Sequence, residues 1–204
     1  MKKTLFFFCL LMAGFWANAQ AIPDKNLQQF VLQLNTAKTE NDYNNLFKKF
    51  TQSHTSEPWQ AYYYAAVALY LKNDLLIKKN SIQSVKESIA IAEKYAYGTI
   101  NSQPNNSEIQ ILLGLIALQK ISLDSSSGVQ KDLSAVSEYL SKAEALSTNN
   151  PRLTLLKAKI AQQTNPADKE DSESLYQKAS KDFETYKSSD SFAPNWGKQL
   201  LKNN

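Results

Sequence analysis

Apolar residues recur along this chain at intervals of three and four, the spacing of one face of an α-helix, and no stretch alternates convincingly as a half-buried strand does. Asp24 follows Pro23 as an N-cap, and Leu27, Phe30, Val31 and Leu34 then fall at i, i+3, i+4 and i+7. Tyr43, Leu46, Phe47 and Phe50 repeat that spacing in a second helix. A third helix starts near Pro58 and carries Trp59, Tyr62, Tyr63, Ala66, Val67 and Tyr70. The fourth carries Ile82, Val85, Ile89 and Ala92, and Gly98 stops it as a C′ residue. The fifth uses Ile109, Leu112, Leu113 and Ile116; the sixth Leu133, Val136, Leu140 and Ala143. Leu153, Leu156 and Ile160 mark a seventh, Leu175, Ala179, Phe183 and Tyr186 an eighth, and a short terminal helix holds Trp196, Leu200 and Leu201. The pattern predicts an all-α chain.

The breaks are as regular as the helices. Pro58, Pro104, Pro151 and Pro194 recur at similar spacing, and proline suits the first turn of a helix because its missing N–H has no intrahelical partner there. A pair of helices per unit, with a proline opening each unit, predicts an α-solenoid of antiparallel helix pairs, about four units long, closed by a short capping helix. Connecting loops are expected at 75–80, 98–103, 124–128 and 165–171, where Ser, Asn and Gly collect.

The first 19 residues have a different organisation. Lys2 and Lys3 precede an apolar run from Leu5 to Trp16, and Ala17-Asn18-Ala19 is a small-x-small cleavage site. This predicts a secretory signal peptide over 1–19, too short in its apolar run to span a bilayer, with cleavage after Ala19 and a single domain over 20–204. Cys9 sits inside the apolar run with no small residues before it, and is read as filler, not as a lipid-attachment site.

Removal of that segment changes the chemistry on offer. Residues 20–204 contain no Cys and no Met, one His and one Arg, and the net charge falls from +4 to +2. Without Cys there is no disulfide, thiolate nucleophile or Cys-ligated metal, and one imidazole cannot make a typical catalytic zinc site. A charge of +2 carried almost wholly by Lys is too weak for a nucleic-acid footprint, and no phosphate-cradling glycine motif occurs. No cofactor, no nucleic-acid partner and no stable membrane insertion after signal cleavage are expected.

Leu113-Gly114, nine and ten residues after Pro104, resembles the Leu-Gly pair in the first helix of a tetratricopeptide repeat. Tyr64-Ala65-Ala66 and Lys157-Ala158 are weaker versions, while Tyr139 to Ala143 and Leu175 to Ala179 resemble the consensus of the second helix. Small residues are needed there because the paired helices cross with their backbones close together. Ala193-Pro194-Asn195-Trp196-Gly197-Lys198 resembles the closing element of small secreted tetratricopeptide-like proteins of Gram-negative bacteria. The resemblance covers residues 24–202 as architecture, with no unit carrying the full consensus. It implies a non-enzymatic module, periplasmic or secreted, that binds a protein or peptide partner along a groove lined by first helices.

Candidate sites follow from the same residues. Trp59, Tyr62, Tyr63 and Tyr70 form the densest aromatic cluster and are the candidate partner-binding residues. Tyr62-Tyr63-Tyr64 span too wide an arc for all three to share one buried face, so at least one points away from it; the alternative is that two pack between units and one is half-exposed. His54, expected in the last turn of the second helix, is accounted for by the helix dipole, and no residue at motif spacing makes it a catalytic base. Asp168, Glu170, Asp171 and Glu173 lack the spacing and the glycine of a calcium loop and suit a helix N-terminus. Lys48-Lys49 and Lys78-Lys79 read as solvated helix faces. No pair of acidic residues is singled out by placement, which leaves a carboxylate hydrolase as the weaker alternative to a binding module, beside a structural subunit of an envelope assembly.

Overall fold

The structure, a computed structural model, describes residues 25–123, 129–167, 169–188 and 192–201. Eight α-helices follow one another there: α1 Lys25–Leu34, α2 Glu40–Thr51, α3 Pro58–Lys78, α4 Val85–Tyr97, α5 Ser107–Leu123, α6 Val129–Leu146, α7 Pro151–Thr164 and α8 Lys169–Thr185. No strand occurs among the described residues. Each helix packs on the next, and α1, α3, α5 and α7 also touch in series, α1 to α3, α3 to α5 and α5 to α7. The chain is therefore a row of helix pairs with the odd-numbered helices stacked side by side, the solenoid that the periodicity predicts.

The boundaries have local causes. Pro58 and Pro151 stand in the first turns of α3 and α7, and the Asn150 side chain caps α7 by accepting the Arg152 N–H at 2.9 Å. Thr39 and Asp42 make a reciprocal capping box on α2. The amphipathic helices bury the residues their period requires, such as Leu27, Val31 and Leu34 on α1 and Tyr43, Leu46 and Phe50 on α2. Helices α3 and α5 sit between neighbours on several sides, and Tyr63 to Leu71 and Glu108 to Gln119 are buried without a break. Gly114 is the close-approach position in α5: a Cβ there would meet Leu156 Cδ2 at 3.0 Å and Tyr139 Cβ at 3.6 Å.

Several boundaries differ from the sequence expectation. The loop expected from Leu75 is helical to Lys78, because Leu76 continues the buried stripe of α3; the reversal is made at Asn80, with φ 55°. Ile82 is not on α4. It lies in a short 3₁₀ turn, Ile82–Ser84, and is 46% exposed. Gly98 follows α4 in the right-handed conformation, φ −59°, so it ends the helix without a left-handed turn. Pro104 stands in the loop three residues before α5, and Pro194 opens no α-helix. The terminal helix is reduced to a 3₁₀ turn, Lys198–Leu200, which Trp196 precedes. His54 lies beyond the end of α2 and is exposed, so the dipole argument for it fails. Glu170 and Asp171 occupy the first turn of α8 as expected. The proposed Asp24 cap, Asp168, the signal segment and the loop at 124–128 lie outside the described residues.

Candidate functional site

Tyr63 and Tyr70 of α3, Glu108, Leu115 and Gln119 of α5, and Arg152 and Lys159 of α7 are spaced by four, seven or eleven residues within their helices. Each set therefore shares a helix face, and since α3, α5 and α7 stack, the three faces form one surface. Lys159 of α7 reaches Asp74 of α3 at 3.4 Å, in front of α5, so side chains from the flanking helices meet across the central one.

The amino-terminal half of this surface is filled by the chain itself. Residues 192–201 run across it as a strap containing no α-helix. Trp196 is fully buried; its Nε1 donates to Tyr63 Oη at 2.9 Å and its carbonyl accepts from Arg152 Nη1 at 3.1 Å. Tyr64 Oη donates to the carbonyl of Phe192 at 2.6 Å. Gly197 has φ +113°, which strains any L side chain, and a Cβ there would stand 2.7 Å from the Phe183 ring.

Beneath the strap lies an ionic hub. Arg152, the single arginine of the sequence, is fully buried and forks onto Glu108, Nε and Nη2 each donating to a carboxylate oxygen at 2.8 Å. Asn150 Nδ2 and Tyr63 Oη donate to the same carboxylate at 2.6 and 3.2 Å. The guanidinium also lies 4.8 Å from the Tyr186 ring centroid and 5.9 Å from those of Phe183 and Trp196. Burial opposes the charge on Arg152, but Glu108 more than offsets it, and the guanidinium is held more firmly protonated than usual. Burial, reinforced by Glu108, pushes the Tyr63 hydroxyl well above its ordinary value. Glu108 is the one buried carboxylate among the described residues, and these donors occupy it. A pair of catalytic acids is thus not assembled there.

The carboxyl-terminal half of the surface is open. A groove of about 360 Å³ lies between α3, α5 and α7. Ile77, Leu115 and Leu118 supply its apolar wall, and Lys78, Lys159 and Asp74 its charged rim. Asp74 bridges the two lysines, 3.1 Å from Lys78 and 3.4 Å from Lys159. Gln119 is buried against the groove; its Nε2 donates to the Tyr70 carbonyl at 2.9 Å, and its Oε1 has no partner among the described residues. Tyr70 closes the end nearest Trp196, with ring centroids 6.0 Å apart, and burial, reinforced by Asp74, pushes its hydroxyl well above its ordinary value. No cluster of three or more His, Cys, Asp or Glu suited to a metal ion occurs among the described residues.

The four aromatic residues singled out in the sequence are not brought to one surface. Tyr63 and Tyr70 face the strap and are buried, because Trp196 covers them. Tyr62 is 42% exposed on another side of α3, where its ring meets Tyr95 of α4 at 5.8 Å. Trp59 is half-buried, with its Nε1 donating to Glu57 at 2.8 Å. Sequence reasoning missed Glu108, Arg152, Lys159 and Gln119. One signal was available: a lone arginine two residues after an Asn-Asn cap, in a chain whose other cations are lysines, is poorly explained as a solvated charge.

No protein-family model matches the sequence, and no curated protein does either. Among solved structures, the HusA haemophore from Porphyromonas gingivalis superposes on this chain with a TM-score of 0.69 at 20% identity, over 86% of this chain and 87% of that one. At that identity the likeness is one of fold. No helix among the described residues is long and apolar enough to cross a membrane.

Proposed function

We propose that this chain is a non-enzymatic carrier working outside the cytoplasm, and that it holds a compact, flat, amphipathic anion of the haem class in the groove between α3, α5 and α7. The observation that carries this is the groove's construction, an apolar wall of Ile77, Leu115 and Leu118 under a rim holding Lys78 and Lys159. Such a site suits a ligand with an apolar body and carboxylates at its edge. The strap argues for a compact ligand over an extended peptide, because Trp196 already fills the other half of the surface. Haem enters as a member of this class through the name of the structural neighbour. An apolar body with edge carboxylates matches the wall and the lysine rim in kind, with Asp74 between the two lysines, and for an iron the lining offers only Tyr70, whose burial keeps the hydroxyl protonated. Secretion is supported by the amino-terminal Lys2-Lys3, apolar run and Ala17-Asn18-Ala19. The tetratricopeptide-like reading is supported by the crowding at Gly114 and the full burial of Ala143 and Ala179.

The test is titration of the purified protein with ferric and metal-free protoporphyrin IX, followed by absorbance and fluorescence. Saturable binding with one ligand per chain is expected for both, weakened roughly tenfold or more by Lys159→Glu. A titration without saturation for either porphyrin would dismiss the proposal. A protein-partner reading keeps one observation in its favour, the ring contact of half-exposed Tyr62 with Tyr95 beside Phe47. Envelope cross-linking with Tyr62→Ala as control tests that surface, and a partner retained by the variant would discard it.

A further inference from the structure

We infer that Trp196 is the end stop of the groove and sets the length of the ligand it accepts; this rests on the ligand reading above. The open groove and the strap-filled half lie on one surface of α3, α5 and α7, and the Tyr70 ring that lines the groove packs against the Trp196 indole, 6.0 Å between centroids. On the far side of the indole are Tyr63, Glu108 and Arg152, the same helix faces carried towards their amino ends. Tyr70 of α3 lines the groove's end, and what backs that ring is a side chain brought in from the strap, not part of the helices that form the groove. Residues 196 and 63 are 133 positions apart in sequence; the indole Nε1 donates to the Tyr63 hydroxyl oxygen and Arg152 donates to the Trp196 backbone carbonyl, and the two bonds hold the residue in place.

The composition of the strap suits a removable wall. It is irregular apart from the turn Lys198–Leu200, and it contains two buried polar atoms without a partner among the described residues, Asn195 Oδ1 and Gln199 Nε2. Orphans of this kind lower the cost of pulling a segment away from the core. With the indole gone, the Tyr70 ring loses its backing and turns into the vacated volume. The groove then runs on from Leu115 towards Glu108 and Arg152. A longer flat anion gains room there, and the Arg152 guanidinium lies at the end of its path.

The experiment compares two dyes of this chemistry, anilinonaphthalene sulfonate and its covalently linked dimer, on the full protein and on Trp196→Ala, with native helicity checked by circular dichroism. Trp196→Ala is expected to tighten the dimer roughly tenfold or more while the single dye changes by less than about threefold. Equal changes in both dyes, or none in either, would overturn the end-stop role. Should Trp196→Ala fail to fold, Tyr63→Phe decides: it keeps the core volume, removes the acceptor of the indole N–H, and is expected to raise the dimer's relative affinity several-fold. An unchanged ratio in that variant overturns the inference. Wild-type protein that binds neither dye nor either porphyrin defeats the carrier reading and the end stop with it, whereas porphyrin binding with an unchanged dye ratio defeats the end stop alone.

Discussion

The indole Nε1 of Trp196 donates a hydrogen bond of 2.9 Å to the Tyr63 hydroxyl, and that hydroxyl in turn donates to Glu108 Oε2 at 3.2 Å. One tyrosine oxygen thus joins the end of the chain to the ionic hub between α5 and α7. All three residues are buried, so each polar atom depends on the next for its partner. Trp196→Ala removes a fully buried indole and is expected to cost about 3–5 kcal/mol, which lowers the melting temperature by roughly 6–20 °C in a chain of this size. Tyr63→Phe keeps the ring but strands the indole N–H, for a loss of about 1–3 kcal/mol. Urea unfolding of the two variants should rank them in that order. A melting temperature for Trp196→Ala equal to wild type would mean the strap contributes no stability.

The Arg152–Glu108 pair predicts a different pattern of losses. Arg152→Met leaves the Glu108 carboxylate buried with its two strongest donors gone, and about 3–5 kcal/mol of destabilisation is expected. Glu108→Gln beside it removes the stranded charge, so the double variant should recover a large part of that loss. Chemical denaturation of the single and double variants measures the coupling, and additive losses would show that the pair acts as two independent residues.

The contrast between these two contacts and the helices that carry them explains what the sequence could disclose. Leu27, Val31 and Leu34, or Tyr43, Leu46 and Phe50, are read from local period, because an amphipathic helix must turn one face inward whatever it packs against. The fate of Tyr63 and Tyr70 depends on a strap that approaches from the other end of the chain, and no local pattern records that approach. Trp196 was legible as a closing residue but not as one inserted into a surface, since its own segment has no helical period to follow. Arg152 and Glu108 are 44 residues apart, on helices each correctly placed, and their pairing follows only once α5 and α7 are known to stack. The open groove was hidden for a further reason: α5 is buried all round, so its apolar run does not mark which side faces a ligand.

Alkaline pH should loosen the molecule. Burial, with Asp74 and Asp42 nearby, pushes the Tyr43 hydroxyl up to about 12, and burial raises Tyr63, Tyr70 and Tyr139 as well. A phenol whose folded pKa lies above its unfolded value holds its proton more tightly when folded. Its contribution to stability is therefore complete below about pH 10 and is lost as pH rises through the folded value. Denaturation midpoints are expected to be flat from neutral pH to about 9 and to fall steeply from there towards 12. Tyr43→Phe should flatten part of that slope. An absorbance titration in which every tyrosine ionises near 10, ahead of any unfolding, would contradict the burial assigned to these side chains.

Two glycines make the last test, because the same substitution should have opposite signs at them. Gly98 has right-handed angles, φ −59° and ψ −15°, and a Cβ there would find its nearest atoms, two backbone oxygens, at 3.4 and 3.5 Å. Alanine fits this position without strain and reduces the freedom of the unfolded chain, so Gly98→Ala should stabilise by about 0.4–1 kcal/mol. Gly114 is in the middle of α5, where alanine gains about 1 kcal/mol in helix propensity. Its Cβ, however, would press on both Leu156 methyl groups, at 3.0 and 3.2 Å, and Leu156 is fully buried. Overpacking of this kind costs about 1–3 kcal/mol, which exceeds the propensity gain, so Gly114→Ala should be the less stable protein. Paired thermal melts decide the matter: a Gly114→Ala variant as stable as Gly98→Ala would mean that α5 and α7 are not held at the close approach described.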